Sequence, residues 1–405
     1  VLPFFPTDDE GMPMLDVVEL LADLVRIPSV NPMGRPITGP ELFEVRVSNY
    51  LCEYLQKLGV PWERVEIAPD RANVLARLEG TPGQPTIVLD AHQDTVPVEG
   101  MVIPPYEPTI KDGRMYGRGS CDIKGGLAAM LTAFTRLVQN PPSVRPTVVC
   151  SFTCDEESTS IGINHLTDSW CGKAPPYKLL PHAPDVAIVA EPTMLDAVVA
   201  HRGAIRWQIS TTGRACHSSK PHEGVNAIYR MGQVLQQLAA YAEWLPKSRP
   251  EHPLCGPATL SVGVIAGGIS VNVVPDRCSI DIDRRVLPGE DGSKVIPEVK
   301  AYLAERLDFE VEHSLPNIAS PPLGNELNGE WAAKLLKTVE PIVGVKKQIG
   351  VAYGTHASRF AQAKVPAVVF GPGDIAQAHT KDEWLSLESL RQGVECYYRF
   401  ITQTW

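Results

Sequence analysis

A short run of valines and isoleucines that stops abruptly at acidic or histidine residues is the form that most constrains this chain. Residues 85–92 (PTIVLDAH), 146–157 (PTVVCSFTCDEE), 185–193 (DVAIVAEPT) and 366–374 (PAVVFGPGD) all have it. Continuous apolar runs of that length are the signature of strands covered on both faces. Apolar helical stretches such as 125–138 lie between them. Strands alternating with helices predict an α/β catalytic layer on a mostly parallel central sheet. Nearer the N-terminus, Met14, Val17, Val18, Leu21, Leu24 and Val25 recur at helical spacing, which predicts a surface helix over 14–26 ended by Pro28. A second helix is predicted over 41–58, closing at Gly59, and WERVEI and ANVLARL read as further strands.

Residues 203–315 break that rhythm. Their predicted order is strand (AIRWQIST), helix (225–245), strand (ATLSVGVIA), strand (RCSIDIDRRV), helix (293–307) and strand (FEVEHSL). This β-α-β-β-α-β order is the ferredoxin-like unit. The run Ser279-Ile280-Asp281-Ile282-Asp283 alternates with period two, so one face of its sheet is expected to be solvated. We therefore expect a discontinuous domain over 1–202 and 316–405 and an inserted domain over 203–315. At roughly 100–200 residues per domain, a 405-residue chain accommodates both.

Composition narrows the function. Hydrophobic residues make up 44% and charged residues 21%, an ordinary globular balance that excludes long-range disorder. No run approaches 18 uncharged apolar residues, which argues against a membrane-spanning helix and a membrane partner. The net charge of −10 repels a phosphate backbone, so nucleic acid is not expected and a small-molecule substrate is. Nine cysteines without framework spacing suggest reduced thiols and a cytoplasmic home. Cys150 and Cys154 sit in an apolar run with no second ligand pair at finger spacing, and read as core thiols. The start, VLPFFPTDDEGMP, lacks the basic and apolar regions of a signal peptide.

In open α/β sheets, ligands gather at the carboxyl ends of the strands. There the sequence places His92, Gln93 and Asp94 after the first run, Asp155, Glu156 and Glu157 after the second, and Glu191 after the third. Asp122 follows GRMYGRGSC, and His379 lies a little beyond the last run. Histidines and carboxylates from separate strand ends suit zinc or a related divalent ion. The ligand count favours two ions: His92, Asp122 and Glu191 for one, and Glu157, His379 and a shared Asp122 for the other. Such a pair generates a nucleophile near neutral pH and polarises a carbonyl. Glu156, beside ligand Glu157 and on an extended chain pointing elsewhere, is the natural general base toward metal-bridging water.

Taken singly, each feature has a plainer reading. An HxD is common by chance, adjacent glutamates are usually solvated, and a lone histidine is more often a loop residue. Gly117-Arg118-Gly119 resembles the start of a dinucleotide fingerprint, but Asp122 stands where its third glycine belongs. The joint placement of five ligand-type residues favours the metal centre.

The strings DAHQDTVP, GRGSCDIKGG, DEES, AEPT, GRACHSSKPHEGVNAI, GGISVNVVPD, RRVLPGE and GPGDIAQAHTKDEW occur in that order. They closely resemble the family of acetylornithine deacetylases, succinyl-diaminopimelate desuccinylases, aminoacylases and glutamate carboxypeptidases, with GPGDIAQAHTKDEW and YGTHASRF most similar to the acetylornithine deacetylase branch. The resemblance implies a dinuclear zinc centre, with cobalt or manganese as substitutes, on His92, Asp122, Glu157, Glu191 and His379, and Glu156 as base. It implies that Asp94 orients His92 through its other ring nitrogen, and that the peptide after Asp122 is cis. The inserted domain would be a dimerisation or lid domain, making the enzyme a homodimer. His217 in GRACHSS would reach the partner subunit's active site and stabilise the oxyanion. Asn272 would sit near that shared site, and Arg202, Arg285 and Thr355 would bind the substrate carboxylate. Arg284 competes with Arg285, because alternation puts only one of the two on the site face. One departure is GTHAS, which has His356 where family members often carry an acidic or small residue.

The expected activity is metal-dependent hydrolysis of the amide of an N-acyl amino acid, first N-acetylornithine in arginine biosynthesis. A succinyl-diaminopimelate desuccinylase, or a dipeptidase or carboxypeptidase of the same family, is the runner-up. Rivals of another class are an inactive binding protein of the same fold and a hydrolase using Cys121 as nucleophile.

Overall fold

The computed structural model describes residues 16–405. Met14 and the opening stretch read against a signal peptide lie outside the described residues. In chain order the strands used below are β1 (Trp62–Ala68), β2 (Arg71–Leu78), β3 (Thr86–His92), β4 (Thr147–Thr153), β5 (Val186–Val189), β6 (Ala197–His201), β7 (Gly203–Thr212), β8 (Thr259–Gly267), β9 (Arg277–Val286), β10 (Glu312–His313), β11 (Gln348–Val351) and β12 (Ala367–Val369). The helices are α1 (Val17–Arg26), α2 (Val45–Leu58), α3 (Lys124–Gln139), α4 (Ile161–Trp170), α5 (Ala227–Ser248), α6 (Val295–Ala304), α7 (Gly329–Val343), α8 (Ala357–Gln362) and α9 (Leu387–Ile401). Two compact units result. One holds the described residues up to Val199 with Asn325–Ile349 and Thr355–Trp405; the other holds Ala200–Gly324 with Gly350–Gly354.

In the first unit, the described residues form an eight-stranded sheet in the order β1-β2-β4-β3-β5-β12-β6-β11. Its centre, β4-β3-β5-β12, is parallel, and antiparallel pairings flank it. These central strands are the continuous apolar runs, and β4 and β5 are buried along their whole length. Side chains alternate across β3: Ile87, Leu89 and Ala91 join the core packed by α1, α2, α3, α7 and α9, which leaves Asp90 and His92 on the opposite face. Helix α3 is buried nearly all round, and Leu127, Met130, Leu131, Phe134 and Leu137 are fully covered. Burying each such side chain stabilises the fold by about 1.5–3 kcal/mol. Gly126 permits this approach, since a Cβ there would stand 2.8 Å from Cβ of Ala190.

Asp16 caps α1, its carboxylate accepting from Val18 N at 2.8 Å. Helix α2 starts at Val45 rather than 41, because Leu42 bridges to Val30 and Phe43 takes a left-handed φ of 63°; Glu44, at the cap, turns its carboxylate inward to accept from Asp155 N at 3.1 Å. It ends at Gly59, whose φ of 71° is the left-handed geometry glycine tolerates.

In the second unit the elements run β7, α5, β8, β9, α6, β10, and the sheet order is β8-β9-β7-β10 with antiparallel pairings. Trp207, Ile209, Ile280 and Ile282 pack with Met231, Val234, Leu238, Val299 and Leu303. Alternation in β9 sends Arg284 inward, fully buried with Nη2 2.8 Å from Glu290 Oε1, while Asp283 and Arg285 stay half-buried on the other face. The last strand is shorter than the stretch FEVEHSL (309–315) predicts. After Glu312–His313 the edge is interrupted at Pro316, which lacks an N–H, and resumes at Ile318–Ser320 on β7. No described helix is long and apolar enough to cross a membrane.

Candidate metal centre

Five side chains expected from the sequence meet in the first unit. His92 closes β3, Glu157 follows β4, Glu191 follows β5, Asp122 precedes α3, and His379 lies in the loop after β12. The ligand-type atoms of His92, Asp122 and Glu191 all lie within 4.8 Å of one another, as do those of Asp122, Glu157 and His379. Asp122 belongs to both groups: its Oδ1 is 3.4 Å from His92 Nε2 and its Oδ2 3.2 Å from His379 Nε2. Glu157 Oε2 is also 3.2 Å from His379 Nε2. The Asp122–Ile123 peptide is cis.

The electrostatics are those of crowded carboxylates. Burial raises Glu156 to about 8, with Glu157, Asp94 and Asp122 adding to the rise and His92 opposing it. Burial and then Asp122 raise Glu157 to about 7, and burial with Asp122 and Glu156 pushes Glu191 well above its usual range. Against its own burial, Asp122 is held low by its hydrogen bonds to His379 and His92. His379 is raised to about 11 by Asp122 and Glu157, and His92 is raised despite burial by Asp122 and Asp94. Glu157 Oε1 is buried without a hydrogen-bond partner. Buried, like-charged oxygens with an unpaired member, set among imidazole nitrogens, fit a pair of divalent cations.

Backbone and carboxylate partners hold these groups in place. His92 Nδ1 meets the backbone carbonyl of Asp94 at 2.9 Å, ahead of the Asp94 carboxylate at 3.5 Å. That carboxylate instead accepts from Glu156 N (3.0 Å) and Glu157 N (3.1 Å). Glu156 therefore does not lie on an extended chain. It sits in a turn entered at Asp155 with φ 66°, and among the described residues its carboxylate makes no hydrogen bond. Glu383 is fully buried and accepts from Gly119 N, Cys121 N, Asp122 N and Arg118 Nη1 at 2.7–3.0 Å, fixing the loop that carries Asp122. Cys121 is buried, and burial followed by Glu383 and Asp122 pushes its thiol well up, which disfavours a nucleophilic thiolate.

Thr355 is buried at the start of α8, where its Oγ1 accepts from Ala357 N at 3.2 Å. Its neighbour His356 is buried with Nδ1 3.1 Å from Asp90 Oδ2 and 3.2 Å from Thr153 Oγ1, and its ring meets that of His92 edge-on at 6.3 Å. Glu383, Asn31, Arg71 and Asp90 were not singled out in the sequence. Glu383 stands in the quoted string GPGDIAQAHTKDEW and Asp90 opens DAHQDTVP, while nothing local marked Asn31 or Arg71.

The remaining expected residues lie in the second unit. His217 and Asn272 come together where Cys216–His217 pairs with Val273–Val274, and Ser218 N donates to Asn272 O at 3.0 Å. Ser219 N donates to His217 Nδ1 at 3.1 Å, which leaves Nε2 to carry the proton in the neutral ring. Arg202 Nε donates to Cys255 O at 2.8 Å, and Arg285 Nε lies 2.7 Å from Asp283 Oδ1.

The sequence profile of peptidase family M20/M25/M40 matches residues 88–403. The chain belongs to this family. As a member it is a metal-dependent amidohydrolase or metallopeptidase. It is 32% identical to the acetylornithine deacetylase of Vibrio campbellii, over 96% of this chain and 98% of that relative. It is likewise 32% identical to the acetylornithine deacetylase of Proteus mirabilis, over 91% and 92%. Among solved structures, an M20 family metallo-carboxypeptidase of Sulfolobus solfataricus superposes with a TM-score of 0.75 at 18% identity, covering 96% of this chain and 99% of that one. Aminopeptidase PepT of Bacillus cereus gives 0.70 at 21%, covering 95% and 97%. At those identities the two structures speak for the fold.

Proposed function

We propose that the protein is a two-zinc hydrolase of N-acyl amino acids, with N-acetylornithine, cleaved to ornithine and acetate, as its substrate. The observation that carries the hydrolase reading is the pair of donor groups sharing Asp122 with the Glu156 carboxylate unpaired beside them. The full-length relatives named acetylornithine deacetylase support the choice of substrate, and with it a place in arginine biosynthesis. His92, Asp122 and Glu191 would hold one zinc, and Asp122, Glu157 and His379 the other; cobalt or manganese suit the same donors. When bound, the ions would supply Lewis acidity to the acyl carbonyl and to water. Glu156 takes a proton from the attacking water as its oxygen bonds to the acyl carbon, then gives that proton to the nitrogen as the C–N bond breaks. Burial and the neighbouring carboxylates raise this carboxyl to about 8 in the metal-free protein, and bound cations would lower it toward the ionised form that accepts the proton.

The second unit would serve as the dimerisation and lid unit. Its edge strand β8 exposes Val264 and Ile265, and Ile269 and Val271 beyond it are bare, an apolar edge suited to a second copy of the chain. His217, with Nε2–H free to donate, would stabilise the oxyanion in the partner's site, near Asn272. Arg202, Arg285 and Thr355 would take the substrate carboxylate. The nine free thiols suit a reducing cytoplasm.

Hydrolysis of N-acetylornithine, N-succinyl-diaminopimelate and a dipeptide panel, each with wild-type and Glu156→Ala enzyme, tests the reading. N-acetylornithine should give the highest kcat/KM, lost in Glu156→Ala. Preference for another substrate would overturn the substrate; full activity of Glu156→Ala would overturn the mechanism.

A further inference from the structure

Beside the metal centre lies a buried knot of Asn31, Glu44, Arg71, Asp94 and Asp155. Two of its carboxylates share one guanidinium: Arg71 Nη1 is 3.4 Å from Glu44 Oε1 and pairs closely with Asp155. Asn31 uses its whole bonding capacity. Its Nδ2 donates to Asp94 Oδ2 and to Asp155 Oδ1, both at 2.8 Å. Its Oδ1 accepts from Met33 N at 2.9 Å and Arg71 Nη2 at 3.3 Å. The partners fix which end is the amide nitrogen, because a flipped side chain would set its oxygen against two carboxylates.

We propose that Asn31 is a positioning residue for Glu156 and Glu157, acting through Asp94 and Asp155. Asp94 carries the constraint to the backbone amides of both glutamates. Asp155 opens their turn, and its Oδ2 accepts from Thr159 N at 3.2 Å, closing it from the other side. Asn31 is itself held on a rigid base: its N–H donates to Thr95 O at 2.8 Å, Thr95 N donates back to Ser29 O at 3.0 Å, and Val30 bridges to Leu42 and Thr95. The position calls for a neutral double donor. Aspartate would bring a fourth carboxylate against two others, and serine supplies at most one hydrogen.

This inference rests on the metal-hydrolase reading of Asp94 and Glu156, and its test separates the two. Zinc affinity by chelator competition, kcat, KM and far-UV circular dichroism are measured for wild type, Asn31→Ser, Asn31→Asp, Asp94→Asn and the Asn31→Ser/Asp94→Asn double variant. Loss of an outer partner of a metal site typically costs about 10–100-fold in affinity or activity. Asn31→Ser should therefore lose about 10–100-fold in zinc affinity and kcat, with KM within about twofold and an unchanged far-UV spectrum. Asn31→Asp should lose more. Because the Asp155 route survives in Asp94→Asn, the double variant should lose more than Asp94→Asn alone but less than the product of the two single losses, a non-additivity that a merely structural role would not produce. Wild-type zinc affinity and kcat in Asn31→Ser, or losses that multiply in the double variant, would overturn the inference alone. Wild-type protein that neither bound zinc nor cleaved an amide would overturn the hydrolase reading and this inference with it. The serine variant adds no charge, so it decides the matter even where the aspartate variant fails to fold.

Discussion

Glu383→Gln removes the charge that holds the Asp122 loop while keeping the shape of the side chain. Oε1 of Glu383 accepts from Cys121 N (2.8 Å) and Asp122 N (3.0 Å), and Oε2 from Gly119 N (3.0 Å) and Arg118 Nη1 (2.7 Å). Glutamine can keep the bonds of one oxygen, but its NH₂ group then faces two donors, and Arg118 loses its buried ion pair. Breaking such a pair costs about 3–5 kcal/mol. Arg118 Nη2 keeps the carbonyls of Pro97 and Thr380, both at 3.3 Å, which points to the lower end, about 3 kcal/mol. That is about a hundredfold in the folding equilibrium. Urea unfolding of metal-free protein, followed by circular dichroism, would read it as a lowered midpoint with unchanged slope. Because the Asp122 amide is one of the lost anchors, zinc affinity should fall as well, by about 10–100-fold. A variant with wild-type midpoint and wild-type zinc affinity would refute the claim that Glu383 positions Asp122.

Two further outcomes follow from the site. In metal-free protein, Glu156 and Glu157 titrate near about 8 and about 7 against an ordinary 4.5, so the folded state keeps protons that the unfolded chain releases. Their stabilisation is fully present below the unfolded value and is lost as pH rises through 7 to 8; His379, raised to about 11 from 6.5, acts in the same direction at higher pH. Chelator-treated protein should thus melt at a lower temperature as pH rises from about 5 to about 8.5, and zinc-loaded protein should show a flatter curve; a metal-free melting temperature that climbs over this range would contradict the assigned shifts. For the shared active site, mixing His217→Ala with Glu156→Ala enzyme should restore activity once subunits exchange, and no recovery after verified exchange would count against a His217 contribution across the dimer.

The sheet was readable because its central strands are apolar throughout and end in charge, which fixes both their burial and the side where ligands gather. The same rule led to His92, Glu157 and Glu191, whose strand-end positions need only local pattern. Glu383 and Asn31 were not readable in this way. Their roles depend on partners far along the chain, Gly119 to Asp122 for one and Asp94 and Asp155 for the other, and no local periodicity reports such contacts. The turn at Glu156 escaped notice for a related reason. An aspartate at φ 66° was not marked as a turn residue, and the amides that hold the turn are bound by Asp94 from a different strand. Helix α2 starts late because Leu42 pairs with Val30 and Phe43 turns to a φ of 63°, a contact with a distant segment that local periodicity does not report.

The central claim is that one carboxylate, Asp122, joins two metal sites. Calorimetric titration of chelator-treated protein with zinc tests it most directly. The account predicts two equivalents per chain in the wild type and loss of both in Asp122→Ala. One equivalent or none in the wild type, or a tightly bound zinc surviving in Asp122→Ala, would contradict it.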